Sequence, residues 1–189
     1  MYEKRGTPGI YRTTDLTRVA QADAIAAWAT AARDELMTIA KTYNATMTYA
    51  ELGRRVQDAS GIRTRVLLAN WIGRLLEEVA RRAADRGEPP LTSLCVHQDG
   101  TIGAGYARAP KSNSDPITSD DIEYFAAEHR LFCYRAYAMD LPADGGRPML
   151  TALEQARRDR SKPQPGRDIR ICPGCFLQLP SSGTCSYCD

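Results

Sequence analysis

The tail ICPGCFLQLPSSGTCSYCD constrains this chain more than any other stretch. Cys172 and Cys175 flank Pro173-Gly174, and Cys185 and Cys188 flank Ser186-Tyr187. Nine residues, Phe176 to Thr184, separate the two pairs. Two thiolates across a tight turn can hold one ion from one side, and a second pair completes a tetrahedron. The spacer can run out, turn at Pro180-Ser181-Ser182-Gly183 and return, which brings the pairs together. A redox dithiol or two disulfides are the competing readings, and neither calls for two pairs with a loop between them. The expectation is a C-terminal zinc ribbon, residues 171–189, with one structural Zn2+ on Cys172, Cys175, Cys185 and Cys188. Its few apolar residues cannot build a core, so metal binding supplies the folding energy. A closed four-thiolate site leaves no open coordination position for catalysis.

The remaining 170 residues suffice for one domain with a core. Hydrophobic residues make up 43% of the chain and charged residues 25%, an ordinary globular balance. No apolar run is long enough to span a bilayer, and the N-terminus lacks an apolar signal region. A cytoplasmic location and no membrane partner are therefore expected. Net charge is only +2, too little to argue for a polyanion. Nearly all the positive charge is arginine, which pairs bidentately with phosphate and base edges. An Arg- and Ala-rich proteome accounts for the same bias, and it suits a bacterial or phage source.

Periodicity gives a mainly α fold. Residues 1–12 read as irregular, and 13–160 as a helical body. Ile25, Trp28, Ala32, Leu36, Ile39 and Tyr43 form one face of a long helix from Thr14 to about Tyr43. Thr48-Tyr49-Ala50-Glu51 fits a capping box for a short second helix that Ala59-Ser60-Gly61 ends. A third helix is expected from Arg63 or Thr64, with Leu68, Ile72, Leu75, Val79 and Ala83 inward, until Gly87, Pro89 and Pro90. LTSLCVH and TIGAGY, joined by Gln98-Asp99-Gly100, read as a β-hairpin. A helix is expected from Thr118 or Ser119 to Met139, and a last one from Met149 to Arg160. Helix, tight turn, helix and hairpin outline a winged-helix-like core, residues 48–106, flanked by long helices.

The basic segment ARRDRSKPQPGRDIR contains a linker, 161–170, broken by Pro163, Pro165 and Gly166. It suits either phosphate contact or a solvated tether. On the helix pair, Arg54, Arg55, Arg63, Thr64, Arg65, Asn70 and Arg74 are the candidate nucleic-acid-binding residues, reaching phosphates and base edges from a recognition helix.

Residues 48–106 resemble the winged-helix DNA-binding domain of alkylguanine-DNA alkyltransferases and their alkyltransferase-like relatives. TYAELGRRV is similar to the first helix of that motif, ANWIGRLL to the recognition helix, and DGTIGAGY to the strand pair that closes the site. The resemblance implies a winged-helix fold and binding to duplex DNA. It does not imply alkyl transfer. Leu91-Thr92-Ser93-Leu94 stands where the family carries its Pro-Cys-His-Arg acceptor motif, and Asn70 where it carries the Arg that displaces a flipped base.

Cys95 and His97 fall on one face of the expected strand, and His129 and Cys133 on one helix face. Packed together, these four would make a second metal site or a Cys–His nucleophile–base pair. Buried thiols and locally bonded histidines are the plainer alternative. The expected function is non-enzymatic nucleic-acid binding, in regulation or in bacterial or phage DNA transactions, with no small-molecule substrate. The first alternative is a protein–protein adaptor that modulates replication, transcription or defence machinery through the ribbon. The second is a Cys/His-dependent enzyme.

Overall fold

The computed structural model describes residues 9–109, 121–162, 171–180 and 183–188. The chain divides into two compact units, Met1–Gln155 and Ala156–Asp189.

The first unit is mainly helical. Its first helix, α1 (Gln21–Ala40), buries Ala24, Trp28, Ala29, Ala32, Leu36 and Ala40. The small alanines let neighbouring backbones approach closely. The helix starts later than Thr14, because Asp15 competes for the backbone. Its Oδ1 accepts from the Thr17 N–H at 3.0 Å and the Thr17 hydroxyl at 2.7 Å, an alternative to a helical turn. The chain before it is a strand, β1 (Ile10–Arg12), rather than an irregular start.

Met47–Thr48 forms β2, and α2 (Tyr49–Ser60) follows. Thr48 Oγ1 accepts from the Glu51 N–H at 3.2 Å, which gives half of the expected capping box. The Glu51 carboxylate turns instead to Arg55, 2.7 Å away. Gly61 ends α2 in the left-handed region, φ 65°.

The expected helix start at Arg63 or Thr64 is a strand instead, β3 (Ile62–Thr64), antiparallel to β1. The buried Trp28 indole N–H donates to the Ile62 carbonyl at 2.9 Å and anchors this strand to α1. A 3₁₀ turn over Leu68–Asn70 then leads into α3 (Ile72–Asp85), which buries Leu75, Val79, Ala80 and Ala83. Trp28 and Trp71 meet with centroids 4.6 Å apart at the centre of the α1–α2–α3 core.

The expected hairpin is also corrected. Leu91–Leu94 is a buried 3₁₀ turn, and only Cys95–Val96 is extended, as β4. β4 pairs in parallel with β2, Met47 opposite Cys95. The chain reverses as expected, with the His97 N–H donating to the Thr101 carbonyl at 2.8 Å. No return strand forms, because side chains take its backbone donors. Glu123 Oε1 accepts from the Ile102 N–H at 2.8 Å, and the Tyr49 hydroxyl oxygen from the Gly103 N–H at 2.9 Å. Ala104–Arg108 closes into a 3₁₀ turn.

A fourth helix, α4 (Ile122–Tyr137), is capped by Asp121 Oδ1, which accepts from the Glu123 N–H at 3.0 Å. The expected start at Thr118 or Ser119 lies outside the described residues. Val96, Ile102, Tyr106, Phe125 and Ala126 form a second, smaller core cluster. The last helix is α5 (Ala152–Ser161). No described helix is long and apolar enough to cross a membrane.

The second unit ends in the cysteine tail. Ile171 and Gln178 form an antiparallel bridge. The Gly183 N–H donates to the Pro180 carbonyl at 2.9 Å, at the expected turn. Ser181 and Ser182 lie outside the described residues, as do Pro163, Pro165, Gly166, Arg167 and Arg170 of the linker.

Candidate metal centre and nucleic-acid interface

The tail's first turn folds around sulfur. The Cys172 N–H donates to the Leu177 carbonyl and the Phe176 N–H to the Cys172 carbonyl, both at 2.9 Å. Gly174 leaves room for the sulfurs, since a β-carbon there would stand 3.3 Å from Cys188 Sγ. The Sγ atoms of Cys172, Cys175, Cys185 and Cys188 all lie within 4.8 Å of one another. Cys175 Sγ and Cys185 Sγ are 3.4 Å apart. A tetrahedral ion with metal–sulfur bonds of about 2.3 Å needs sulfurs roughly 3.8 Å apart, so the four converge on the spacing such an ion requires. Four thiols suit a soft or borderline metal and not a hard oxygen-seeking cation.

The thiols also share charge unevenly. Backbone N–H groups of Cys175 and Gly174 draw Cys172 down to about 6. Hydrogen bonding with Cys175, and then with Cys172 and Cys185, pushes Cys188 up to about 12. Four sulfurs this close resist joint ionisation, and a divalent cation relieves that repulsion.

Cys95, His97, His129 and Cys133 do not form such a group. Among the described residues, the tail is the only set of three or more Cys, His, Asp or Glu side chains that can hold an ion. Cys95 is buried on β4, whereas His97 is exposed and packs edge-on to Tyr49 at 4.7 Å. His129 Nδ1 meets the Tyr106 hydroxyl at 2.7 Å, and Cys133 Sγ lies 3.8 Å from Ser93 Oγ. Burial pushes the Cys133 thiol up to about 12 and the Cys95 thiol higher still, opposite to what a thiolate nucleophile needs.

The nucleic-acid candidates separate into two groups. Arg55 is held between Glu35 at 3.0 Å and Glu51 at 2.7 Å. Arg54 and Arg63 both pair with Asp58. Thr64 faces inward: its N–H donates to Gln57 Oε1 at 2.8 Å, and its hydroxyl oxygen accepts from the Val66 N–H at 3.0 Å. Arg65, Asn70 and Arg74 are exposed. Arg65 lies over the Tyr11 ring at 5.8 Å, and neither Arg65 nor Arg74 joins an ion pair with a described residue. Arg63, Thr64 and Arg65 lie on β3 and the loop after it, so they are not on the first turn of a recognition helix.

Sequence reasoning missed a cavity of about 580 Å³ beside α3, within the range of small-molecule and base pockets. It is lined by Ala69, Ile72, Gly73 and Leu76, by residues of the Gly103–Arg108 turn, and by Tyr49, Thr92 and His97. Burial pushes the Tyr49 hydroxyl up to about 12. The signal that marks this place in the sequence is TIGAGYAR, where a β-carbon at Gly103 would stand 2.7 Å from the Tyr49 hydroxyl oxygen. Comparison with protein families, curated proteins and solved structures finds no match to this chain.

Proposed function

We propose that residues 48–106 bind duplex DNA through the α2–α3 helix pair, without the return strand of a wing, and that one structural zinc ion holds the tail. On this reading the protein is a non-enzymatic DNA-binding component of regulation or of bacterial or phage DNA transactions. The carrying observation is the run from the end of β3 to the first turn of α3. It presents Arg65, Asn70 and Arg74 to solvent, with both guanidinium groups outside any ion pair of the described chain. Such groups reach phosphates without breaking an ion pair, and an exposed Asn can read an adenine edge. The cavity opens beside the same run, at Ala69 and Gly73. In the family that this stretch resembles, the corresponding region receives an extruded base, and the cavity has room for one.

The test is fluorescence anisotropy with a labelled duplex, from about 50 to 200 mM salt. Affinity should fall steeply with salt. Arg65→Ala combined with Arg74→Ala should weaken binding and lower the salt slope by about 2, one per lost phosphate contact. Binding unchanged in that variant would refute the interface. For the metal, elemental analysis should find about one zinc per chain, lost in Cys185→Ser.

A further inference from the structure

The cavity beside α3 is kept open by residues whose smallness the fold does not need. Gly73, Gly103 and Gly105 line it, and none of the three has the left-handed backbone that calls for glycine. Gly73 lies in α3, where glycine weakens a helix, yet a β-carbon there would meet nothing within 4 Å. A β-carbon at Gly105 would also meet nothing. At Gly103 the added carbon would crowd the Tyr49 hydroxyl and stand 3.7 Å from His97 Nε2. What these glycines leave is room, held as open volume.

The groups around that room point to what fills it. Thr92 lines the cavity and is 5% exposed, and its hydroxyl has no hydrogen-bond partner among the described residues. A buried hydroxyl left unpaired costs stability, and valine fills the same volume without that cost. The fold alone therefore does not account for threonine here. The Tyr49 hydroxyl oxygen accepts from the Gly103 N–H, and its own hydrogen has no acceptor among the described residues. Burial keeps that phenol protonated far above neutral pH, so it stays a donor. Glu77 and Arg108 are the only carboxylate and guanidinium on the lining, and both are exposed. The buried part of the lining therefore carries no fixed charge and suits a neutral occupant. Ala69, Ala104 and the three glycines offer backbone and methyl groups beside the Tyr49 ring, a surface that a flat molecule covers most fully.

We infer that the cavity is a binding site for a free, neutral, planar heteroaromatic molecule whose ring acceptors take hydrogen bonds from the Thr92 and Tyr49 hydroxyls. The molecule enters from solvent. A base pushed out of a duplex needs a side chain to take its place in the stack, and Asn70 stands where the resembled family carries an arginine for that. The site does not depend on the duplex interface proposed above, although α3 serves both.

The experiment uses the full chain without nucleic acid and reads binding by ligand-observed NMR. The probes are quinazolin-4-one and 2-aminopurine, both planar with ring acceptors. The controls are indole, planar with a donor only, and cyclohexanol, which is not flat. Both probes should bind at about 1 mM or tighter, the range open to ligands of this size. Both controls should bind at least about tenfold more weakly. Thr92→Val should weaken quinazolin-4-one about tenfold, leave indole unchanged and unfold at the same denaturant concentration or higher. Gly73→Leu should abolish binding of both probes while its denaturant midpoint holds or rises, because glycine leaves a helix. Arg65→Ala with Arg74→Ala should leave probe affinity unchanged, which separates failure of this inference from failure of the duplex interface. No binding of either probe by the unmodified chain would overturn the proposal. So would controls that bind as well as the probes, full probe affinity in Thr92→Val or Gly73→Leu, or a lower midpoint in Thr92→Val. So would 2-aminopurine built into a duplex brightening when the protein binds, since that reports an extruded base in place of a free ligand.

Discussion

Titration of the six cysteines by an aromatic disulfide reagent should divide them four and two. Cys95 and Cys133 lie in the core of the first unit, each at 0% exposure. Burial lifts Cys133 from the ordinary thiol value of 9.0 to about 12. At about pH 8 the thiolate fraction then falls from roughly one in ten to one in ten thousand. Because the thiolate is the reacting species, its rate drops about a thousandfold before any steric shielding is counted. Cys95 shifts in the same direction, with desolvation first and the Glu51 charge second. The four tail thiols differ in kind, because a bound metal would protect them and a chelator would release them. The metal-loaded chain should show almost no fast thiol. Addition of a chelator should expose four, and guanidinium the last two. A fifth fast thiol in the folded chain would refute the packing of α4 and β4 against the core. Fewer than four after chelation, restored by a reductant, would refute the metal centre in favour of disulfides.

Two further expectations concern the first unit. Gly73→Ala should stabilise the chain by about 1 kcal/mol, since the residue is helical and nothing stands within 4 Å of the added carbon. Gly53→Ala should fall roughly 1–3 kcal/mol short of that, because its β-carbon would approach Leu68 Cδ1 to 2.7 Å and Trp71 Cη2 to 3.3 Å. Denaturant midpoints decide both, and equal effects would show that α2 does not pack on Trp71 this closely. Tyr49 gives a pH dependence. Burial raises its folded-state value from 10.0 to about 12, so its neutral form favours the fold. The associated stability is complete below about pH 10 and is lost as pH rises toward 12. Tyr49→Phe should flatten this alkaline limb, and an unchanged limb would assign it to other groups.

Local chemistry was legible in the sequence, and remote pairing was not. The Cys-x-x-Cys spacing located all four sulfurs of the tail, because the ligands lie within one short segment. Thr48 marked the start of α2, and Gly61 its end, for the same reason. Arg63 and Thr64 looked like a helix start because two flanking helices were periodic. Their backbone is claimed by β1, some fifty residues earlier, through the Ile10–Thr64 and Arg12–Ile62 pairs. TIGAGY looked like a return strand until Glu123 and Tyr49, distant in sequence, took its N–H groups. Arg55 looked available for phosphate, but Glu35 comes to it from α1. The cavity was invisible for a related reason, since its lining comes from four separate segments.

The β1–β3 ladder bears on the order of events at the ribosome. Ile10–Arg12 is made some fifty residues before Ile62–Thr64, so the first strand must wait unpaired while α1 and all of α2 are synthesised. The Trp28 indole lacks its acceptor for the same interval, because that acceptor is the Ile62 carbonyl. Folding of the body therefore closes on a late residue, and a nascent chain arrested before Ile62 exposes both an unpaired strand and an unsatisfied tryptophan.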